Sequence, residues 1–280
     1  MFFYLSFLRP PPRSASVTAK GLLITPQIAN DLRTETFEDE VDVWFRWQSS
    51  DGRNSPHKKL TTWKGSQSLY KSIDVPLPSP LRVGDSWRLA LWVSNEPEIS
   101  SLNRDPLTIE LLPSNSTQGE PGSLTAAEFG REVLPVISNP ILIEGPRKNS
   151  KDGGRKSERV LRKYGLPPLA GGVVNDDSTE QRMRSVSLIE QTSFDLDKKV
   201  WDSGLGLSAW LAGLLNDSKP SNAMSMDLRT LLCSPGGFRA IELGTGIGVV
   251  SILLTALLEP WEATPARHIL ATDLGKIYQV

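Results

Sequence analysis

Short apolar stretches alternate with turn residues through the first half of the chain. Residues 41–47 (V-D-V-W-F-R-W) alternate in part between apolar and polar positions, and residues 87–93 (W-R-L-A-L-W-V) are rich in aromatic and branched side chains. Such runs predict strands, and further candidates lie at 107–112 and 133–143. The prolines and the Asp-Gly and Gly-Asp pairs between these runs are typical of tight turns.

This pattern predicts a β-rich module over residues 21–145, either a small sandwich or a barrel, after an N-terminal tail of residues 1–20. Five of the eight tryptophans lie in the module. We expect these large rings to fill its core rather than to form a recognition surface. Residues 146–184 are charged, glycine-rich and low in hydrophobicity, which predicts a linker with a short helix over 155–164.

The periodicity changes in the last part of the chain, residues 185–280. Asp202 and Ser203 can cap a helix in which apolar residues repeat at helical spacing. The elements predicted after it are a helix, a strand, a helix and a strand, at 226–232, 238–243, 249–258 and 268–273. A strand, a helix and a second strand in this order predict a βαβ unit with two parallel neighbouring strands.

Three glycines lie at the junction of the first of these strands and the helix that follows it. Gly244, Gly246 and Gly248 stand in the run A-I-E-L-G-T-G-I-G-V. A strand that turns through glycines into a helix presents bare backbone amides and a positive helix end to a polar or anionic ligand. The second strand ends at Asp273, on the same edge of the sheet, where a carboxylate can accept hydrogen bonds from a ribose.

The spacing of these glycines distinguishes between nucleotide-like ligands. The dinucleotide fingerprint is G-x-G-x-x-G, whereas the third glycine here comes one residue early, and no lysine follows as in a phosphate-binding loop. Glu242, two residues before the first glycine, is also unusual for a dinucleotide site. The form E-x-G-x-G-x-G favours S-adenosylmethionine.

Three segments together resemble a known family. Residues 242–248 (E-L-G-T-G-I-G) and 272–274 (T-D-L) are similar to the first motif and the acidic second strand of class I, seven-strand methyltransferases. Residues 199–208 (K-V-W-D-S-G-L-G-L-S), upstream of them, are similar to methyltransferase family 16, a methyltransferase-like group that contains many protein-lysine methyltransferases. The resemblance covers residues 186–274, about a third of the chain.

The resemblance implies a Rossmann-like methyltransferase domain of the α/β class, preceded by the β-rich module, and S-adenosylmethionine as cofactor. It further implies that Trp201 lines the cofactor site, that Gly244 and Gly246, with Thr245 between them, let the backbone approach the methionine portion, that Glu242 supports the turn and that Asp273 holds the ribose hydroxyls. The alternative is that the glycines only allow close packing of strand and helix, and that Trp201 belongs to the core.

The resemblance also implies a protein substrate with a lysine side chain as the methyl acceptor. Family members place the acceptor with residues after the fourth strand, in a motif such as D-x-x-Y, and the chain ends at Val280 before such a segment. We therefore expect a C-terminally truncated, incomplete domain with weak cofactor binding, and we assign no catalytic residue. The alternative from another class is a non-catalytic interaction protein with a remnant methyltransferase fold. Methylation of a small molecule or a nucleic acid is a weaker third hypothesis.

Composition limits the remaining classes of function. With 280 residues the chain is long enough for two domains, and a net charge of −1 gives no electrostatic reason to expect nucleic acid or an anionic membrane as partner. One cysteine and two histidines exclude an internal disulfide and predict no metal site. Because no stretch approaches the ~20 apolar residues of a membrane span, we expect a cytoplasmic or nuclear protein. The oligomeric state stays open.

Overall fold

The computed structural model describes residues 2–94, 105–111, 133–146, 159–167, 184–191, 198–216, 222–234, 236–258, 267–273 and 276–279. The fold is mixed α/β, rich in strands, with several sheets and few helices. The chain divides into two compact units. The first unit comprises Met1–Thr108, Gly130–Arg162 and Ile189–Phe194, and the second comprises Ile109–Phe129, Lys163–Leu188 and Asp195–Val280.

Thirteen strands precede the first described α-helix. They are β1 (Phe3–Arg9), β2 (Ser14–Ser16), β3 (Gly21–Ala29), β4 (Glu40–Ser49), β5 (Lys58–Lys64), β6 (Ile73–Pro76), β7 (Ser86–Val93), β8 (Thr108–Glu110), β9 (Val133–Leu134), β10 (Val136–Ser138), β11 (Ile141–Glu144), β12 (Arg159–Leu166) and β13 (Arg184–Gln191). One sheet has the order β6-β3-β1-β9. A second runs β13-β12-β10-β7-β11-β2, with β4 on β7, β5 on β4 and β8 on β12.

The two sheets contribute to one hydrophobic core in the first unit. Leu5 and Ile24 come from the four-stranded sheet and Val43, Trp47 and Leu89 from the larger one, and all five are at most 1% exposed. Of the five tryptophans in this region, four are fully buried, namely Trp47, Trp63, Trp87 and Trp92. The interpretation of these four rings as core is therefore confirmed, whereas Trp44 is half-buried.

The predicted N-terminal tail over residues 1–20 is wrong. β1 and β2 lie inside that range, and β1 pairs antiparallel with β3, with Tyr4 opposite Ala29. Leu5 and Phe7 are buried in the core. The apolar residues at the start of the chain are therefore those of a core strand.

The predicted helix over 155–164, within the predicted linker of 146–184, is also wrong where the structure describes it. Residues 159–166 form β12, in which Val160, Arg162 and Tyr164 are buried at every second position. A period of two is that of a strand. Residues 147–158 and 168–183 of the predicted linker lie outside the described residues.

Among the described residues, the second unit contains three helices and a small sheet. Its elements are α1 (Asp202–Asn216), α2 (Ala223–Leu232), β14 (Arg239–Leu243), α3 (Val249–Leu258), β15 (His268–Asp273) and β16 (Lys276–Gln279). The sheet order is β14-β15-β16, and β14 pairs parallel with β15 from Arg239 opposite His268 to Leu243 opposite Thr272. The predicted βαβ unit, β14-α3-β15, is thus confirmed.

Among the described residues, none of the helices combines the length and the hydropathy needed to cross a membrane.

Candidate functional site

The glycine turn between β14 and α3 is built on left-handed backbone. Gly244, Gly246 and Gly248 have φ angles of 66°, 55° and 78°, a region that side-chain-bearing residues rarely adopt. The Thr245 N–H donates to the Thr272 carbonyl at 3.0 Å, and the Gly248 N–H donates to the Thr245 carbonyl at 2.8 Å. These two bonds attach the turn to β15 and close it immediately before α3.

Glu242 stabilises the turn through hydrogen bonds to the start of α3. Its Oε2 atom accepts hydrogen bonds from the Ser251 N–H at 3.0 Å and from the Ser251 hydroxyl. Ser251 is the third residue of α3, where backbone N–H groups have no partner within the helix and a negative charge is favoured by the helix dipole. The Thr272 hydroxyl donates to the Glu242 carbonyl at 3.0 Å. Glu242 therefore connects β14, α3 and β15.

Asp273 lies at the same end of the sheet as the glycine turn. The parallel register of β14 and β15 ends with Leu243 opposite Thr272. Gly244 and Asp273 are therefore the next residues along the two neighbouring strands. Asp273 is half-buried. The structure thus brings Asp273, the residue predicted to bind the ribose, beside the first glycine.

Trp201 precedes α1, and α1 packs on the start of α3. A Cβ atom placed on Gly204 would lie 2.6 Å from Val249 Cγ1, which means that the α1 backbone lies directly against the first residue after Gly248. The Trp201 carbonyl accepts a hydrogen bond from the Leu205 N–H at 3.1 Å. Trp201 is therefore within one helical turn of the contact between α1 and α3, and it is half-buried.

The space at the turn bears on whether a ligand such as S-adenosylmethionine fits. A Cβ atom on Gly244 would meet nothing within 4 Å, so close packing does not explain this glycine, and there is room beside it. Thr245 is 7% exposed, and its Oγ1 atom is enclosed with no hydrogen-bond partner among the described residues. Open space beside a glycine and an unsatisfied buried hydroxyl are both compatible with a polar ligand at the turn.

Two features of the sheet depart from a doubly wound domain. After β15 such a fold continues into a helix, whereas here β16 pairs antiparallel with β15, with Asp273 opposite Lys276. Among the described residues β14 pairs with β15 alone, and its Ile241 and Leu243 side chains are 64% and 81% exposed. One edge of β14 is therefore free in the part of the chain that the structure describes.

Sequence reasoning missed Ser251 and Gly204 as parts of this arrangement. Ser251 is a plain helix residue in the sequence, and the G-L-G segment that begins at Gly204 offers two glycines, of which only the first contacts α3. Both roles depend on tertiary contacts. The motif at 199–208 was the one local signal that pointed to Gly204.

The chain matches no protein-family model, no curated protein and no solved structure.

Proposed function

We propose that the chain is an S-adenosylmethionine-dependent methyltransferase of the Rossmann-like class, with a lysine side chain of a protein as the methyl acceptor. The observation that carries the proposal is the E-x-G-x-G-x-G turn in left-handed backbone, with Asp273 at the same sheet edge. The resemblance of residues 199–208 and 242–248 to methyltransferase segments supports the choice of ligand.

Each site residue has a distinct part in this proposal. Gly244 and Gly246 let the ligand approach the backbone, because neither has a side chain at the turn. Asp273 accepts hydrogen bonds from two neighbouring hydroxyls, as a carboxylate can. Trp201 closes the site from the start of α1.

Glu242 and Thr245 are positioning residues. The Glu242 carboxylate is already engaged by Ser251, and the Thr245 backbone groups are bonded to Thr272 and Gly248. Both residues therefore fix the shape of the turn. The enclosed Thr245 hydroxyl is the further polar atom that a ligand could satisfy.

The cofactor supplies a methyl group on a sulfonium ion. Transfer to an amine is an in-line displacement, so the protein contributes by alignment and by exclusion of water. The amine must lose its proton before or during attack, from a reference pKa of about 10.4. No acceptor-binding residue is assigned among those that the structure describes.

A non-catalytic interaction protein is the second candidate. The antiparallel pairing of β16 with β15 favours it, because a doubly wound enzyme has a helix there. The exposed Ile241 and Leu243 side chains on β14 also suit an interaction surface.

A labelling experiment separates these candidates. The full chain is incubated with tritiated S-adenosylmethionine and a lysine-containing protein extract, beside the Asp273→Ala variant and the Asp227→Ala control, which removes an exposed carboxylate of α2. We expect labelled protein bands with the parent chain and with Asp227→Ala, and loss of label with Asp273→Ala. Absence of label from a folded chain would contradict the methyltransferase proposal and favour the interaction protein.

A further inference from the structure

A cavity lined mostly by polar residues lies in the first unit, far in sequence from the glycine turn. Its volume is about 350 Å³, and it is formed by the end of β4, the turn after it and the start of β7. Side chains that line it include Gln48, Ser50, Asn54, Ser86 and Arg88. The proposed methyltransferase function uses none of these residues.

The wall of this cavity is rich in hydrogen-bond donors. The Arg88 guanidinium has five N–H groups and no acceptor, and among the described residues its one hydrogen bond runs from Nη1 to the Ser138 carbonyl at 3.2 Å. Gln48 and Asn54 each add an amide NH₂ group, and Ser86 adds a hydroxyl. In the described part of the chain, these three side chains make no hydrogen bond to protein, so their donors face the cavity or solvent.

Arg88 also lacks a carboxylate partner among the described residues. Burial lowers the pKa of its guanidinium, because the charged form is partly removed from water. A guanidinium stays protonated in proteins, and a half-buried cation without a counter-ion attracts an anion.

Asp51 and Asp85, each next in sequence to residues that line the cavity, are paired with another arginine. Arg53 Nε lies 2.7 Å from Asp51 Oδ2, and Arg53 Nη2 lies 3.3 Å from Asp85 Oδ1. The Arg82 N–H also donates to Asp85 at 3.0 Å. Neither carboxylate lines the cavity, so they do not neutralise Arg88 there.

We propose that this cavity binds a small oxyanion, a carboxylate or a phosphate, through Arg88 with Gln48, Asn54 and Ser86 as further donors. The planar guanidinium suits two oxygens of either group. The Arg88 guanidinium contributes donors and no acceptor to the wall. The wall therefore favours a ligand that is rich in hydrogen-bond acceptors. The proposal does not depend on the function proposed for the glycine turn.

Titration calorimetry of the full chain with inorganic phosphate and, separately, with succinate, at constant ionic strength, tests this site. We expect saturable binding of at least one of the two, and the tighter one identifies the oxyanion. Arg88→Gln should weaken it by roughly tenfold, since charge-assisted bidentate bonds are strong. The matched control Arg82→Gln removes the same charge from an exposed neighbour and should leave the affinity within roughly twofold.

Circular dichroism shows whether Arg88→Gln keeps the fold of the parent chain. If it does not, the Asn54→Ala variant tests the same site. Asn54 is exposed, so the variant should fold like the parent and bind the oxyanion roughly threefold more weakly, the loss of one neutral hydrogen bond. Failure of both anions to bind, or equal weakening by Arg88→Gln and Arg82→Gln, would overturn the proposal. Unchanged affinity in Asn54→Ala would overturn the part assigned to that amide.

Discussion

Glu242 shows how one side chain fixes the candidate site without facing a ligand. Its carboxylate accepts both the backbone N–H and the hydroxyl of Ser251, and its carbonyl accepts the hydroxyl of Thr272. A charge at the first turn of α3 acts as a cap, although it comes from a residue seven positions before the helix begins. The conformation of the turn therefore depends on this carboxylate.

The Glu242→Gln variant tests this role. It keeps the size of the side chain but removes the charge, and we expect a loss of about 1–2 kcal/mol in the free energy of unfolding, as for a helix cap or a charged hydrogen bond. Urea unfolding measures it. Asp227→Asn, which neutralises an exposed carboxylate in the same unit, should cost less than about 0.5 kcal/mol. Equal effects of the two variants would mean that Glu242 does not support the turn.

At the scale of elements, the packing of α1 on α3 depends on Gly204 and not on Gly206. A Cβ atom on Gly204 would lie 2.6 Å from Val249 Cγ1, whereas a Cβ atom on Gly206 would meet nothing within 4 Å. The two helices can approach this closely at their first turns only where the side chain is absent. The G-L-G segment therefore contains one structural glycine and one that is replaceable.

Alanine at each position separates these roles. We expect Gly204→Ala to cost about 1–3 kcal/mol in the free energy of unfolding, the usual effect of overpacking. Gly206→Ala should be neutral or stabilising by up to about 1 kcal/mol, because alanine favours the helix. Thermal and urea unfolding of both variants measure this difference. A stable Gly204→Ala variant would show that α1 and α3 can separate without cost.

Elements were predictable where their signal is local. The helices of the second unit follow from helical periodicity, and β14, α3 and β15 follow from the apolar runs on either side of the glycine turn. β1 and β12 were missed because β1 lies at the start of the chain and β12 lies among charged residues; Tyr4 pairs with Ala29, and Leu161 pairs with Ile137. Neither a terminal position nor a charged neighbourhood reveals such partners.

The candidate site likewise has some features that can be predicted from local sequence and others that depend on tertiary contacts. Glycine spacing and the carboxylates at Glu242 and Asp273 are visible in the sequence, because the motif is contiguous or follows the strand order. The bond from Ser251 to Glu242 and the contact between Gly204 and Val249 are tertiary. β16, a four-residue strand, carries no periodic signal long enough to predict it.

At the scale of the whole molecule, a buried arginine joins distant parts of the first unit. Arg162 is 2% exposed, and its Nε atom donates to Glu190 Oε1 at 2.6 Å. Its Nη1 atom donates to the carbonyls of Leu134 and Pro135, and its Nη2 atom donates to the carbonyl of Leu5. The Arg162 guanidinium thus connects β1, β9, β13 and Pro135, the residue that follows β9.

Arg162→Met should destabilise the first unit strongly. It removes the buried cation that pairs with Glu190 and the donor that bonds to three carbonyls, a change that costs about 3–5 kcal/mol. Arg159→Met, an exposed position on the same strand, is the control and should change stability by less than about 0.5 kcal/mol. Denaturant unfolding followed by tryptophan fluorescence reports mainly on this unit, which contains five of the eight tryptophans. A small effect of Arg162→Met would show that the network contributes little to stability.

We propose that the glycine turn is the binding site for S-adenosylmethionine. Nuclear magnetic resonance of the full chain with ¹⁵N-labelled glycine, titrated with S-adenosylmethionine and separately with NAD, tests it most directly. We expect S-adenosylmethionine to shift the amide signals of Gly244, Gly246 and Gly248, and NAD to leave them unshifted. Unshifted signals of all three glycines in a folded chain, or an equal response to NAD, would contradict it.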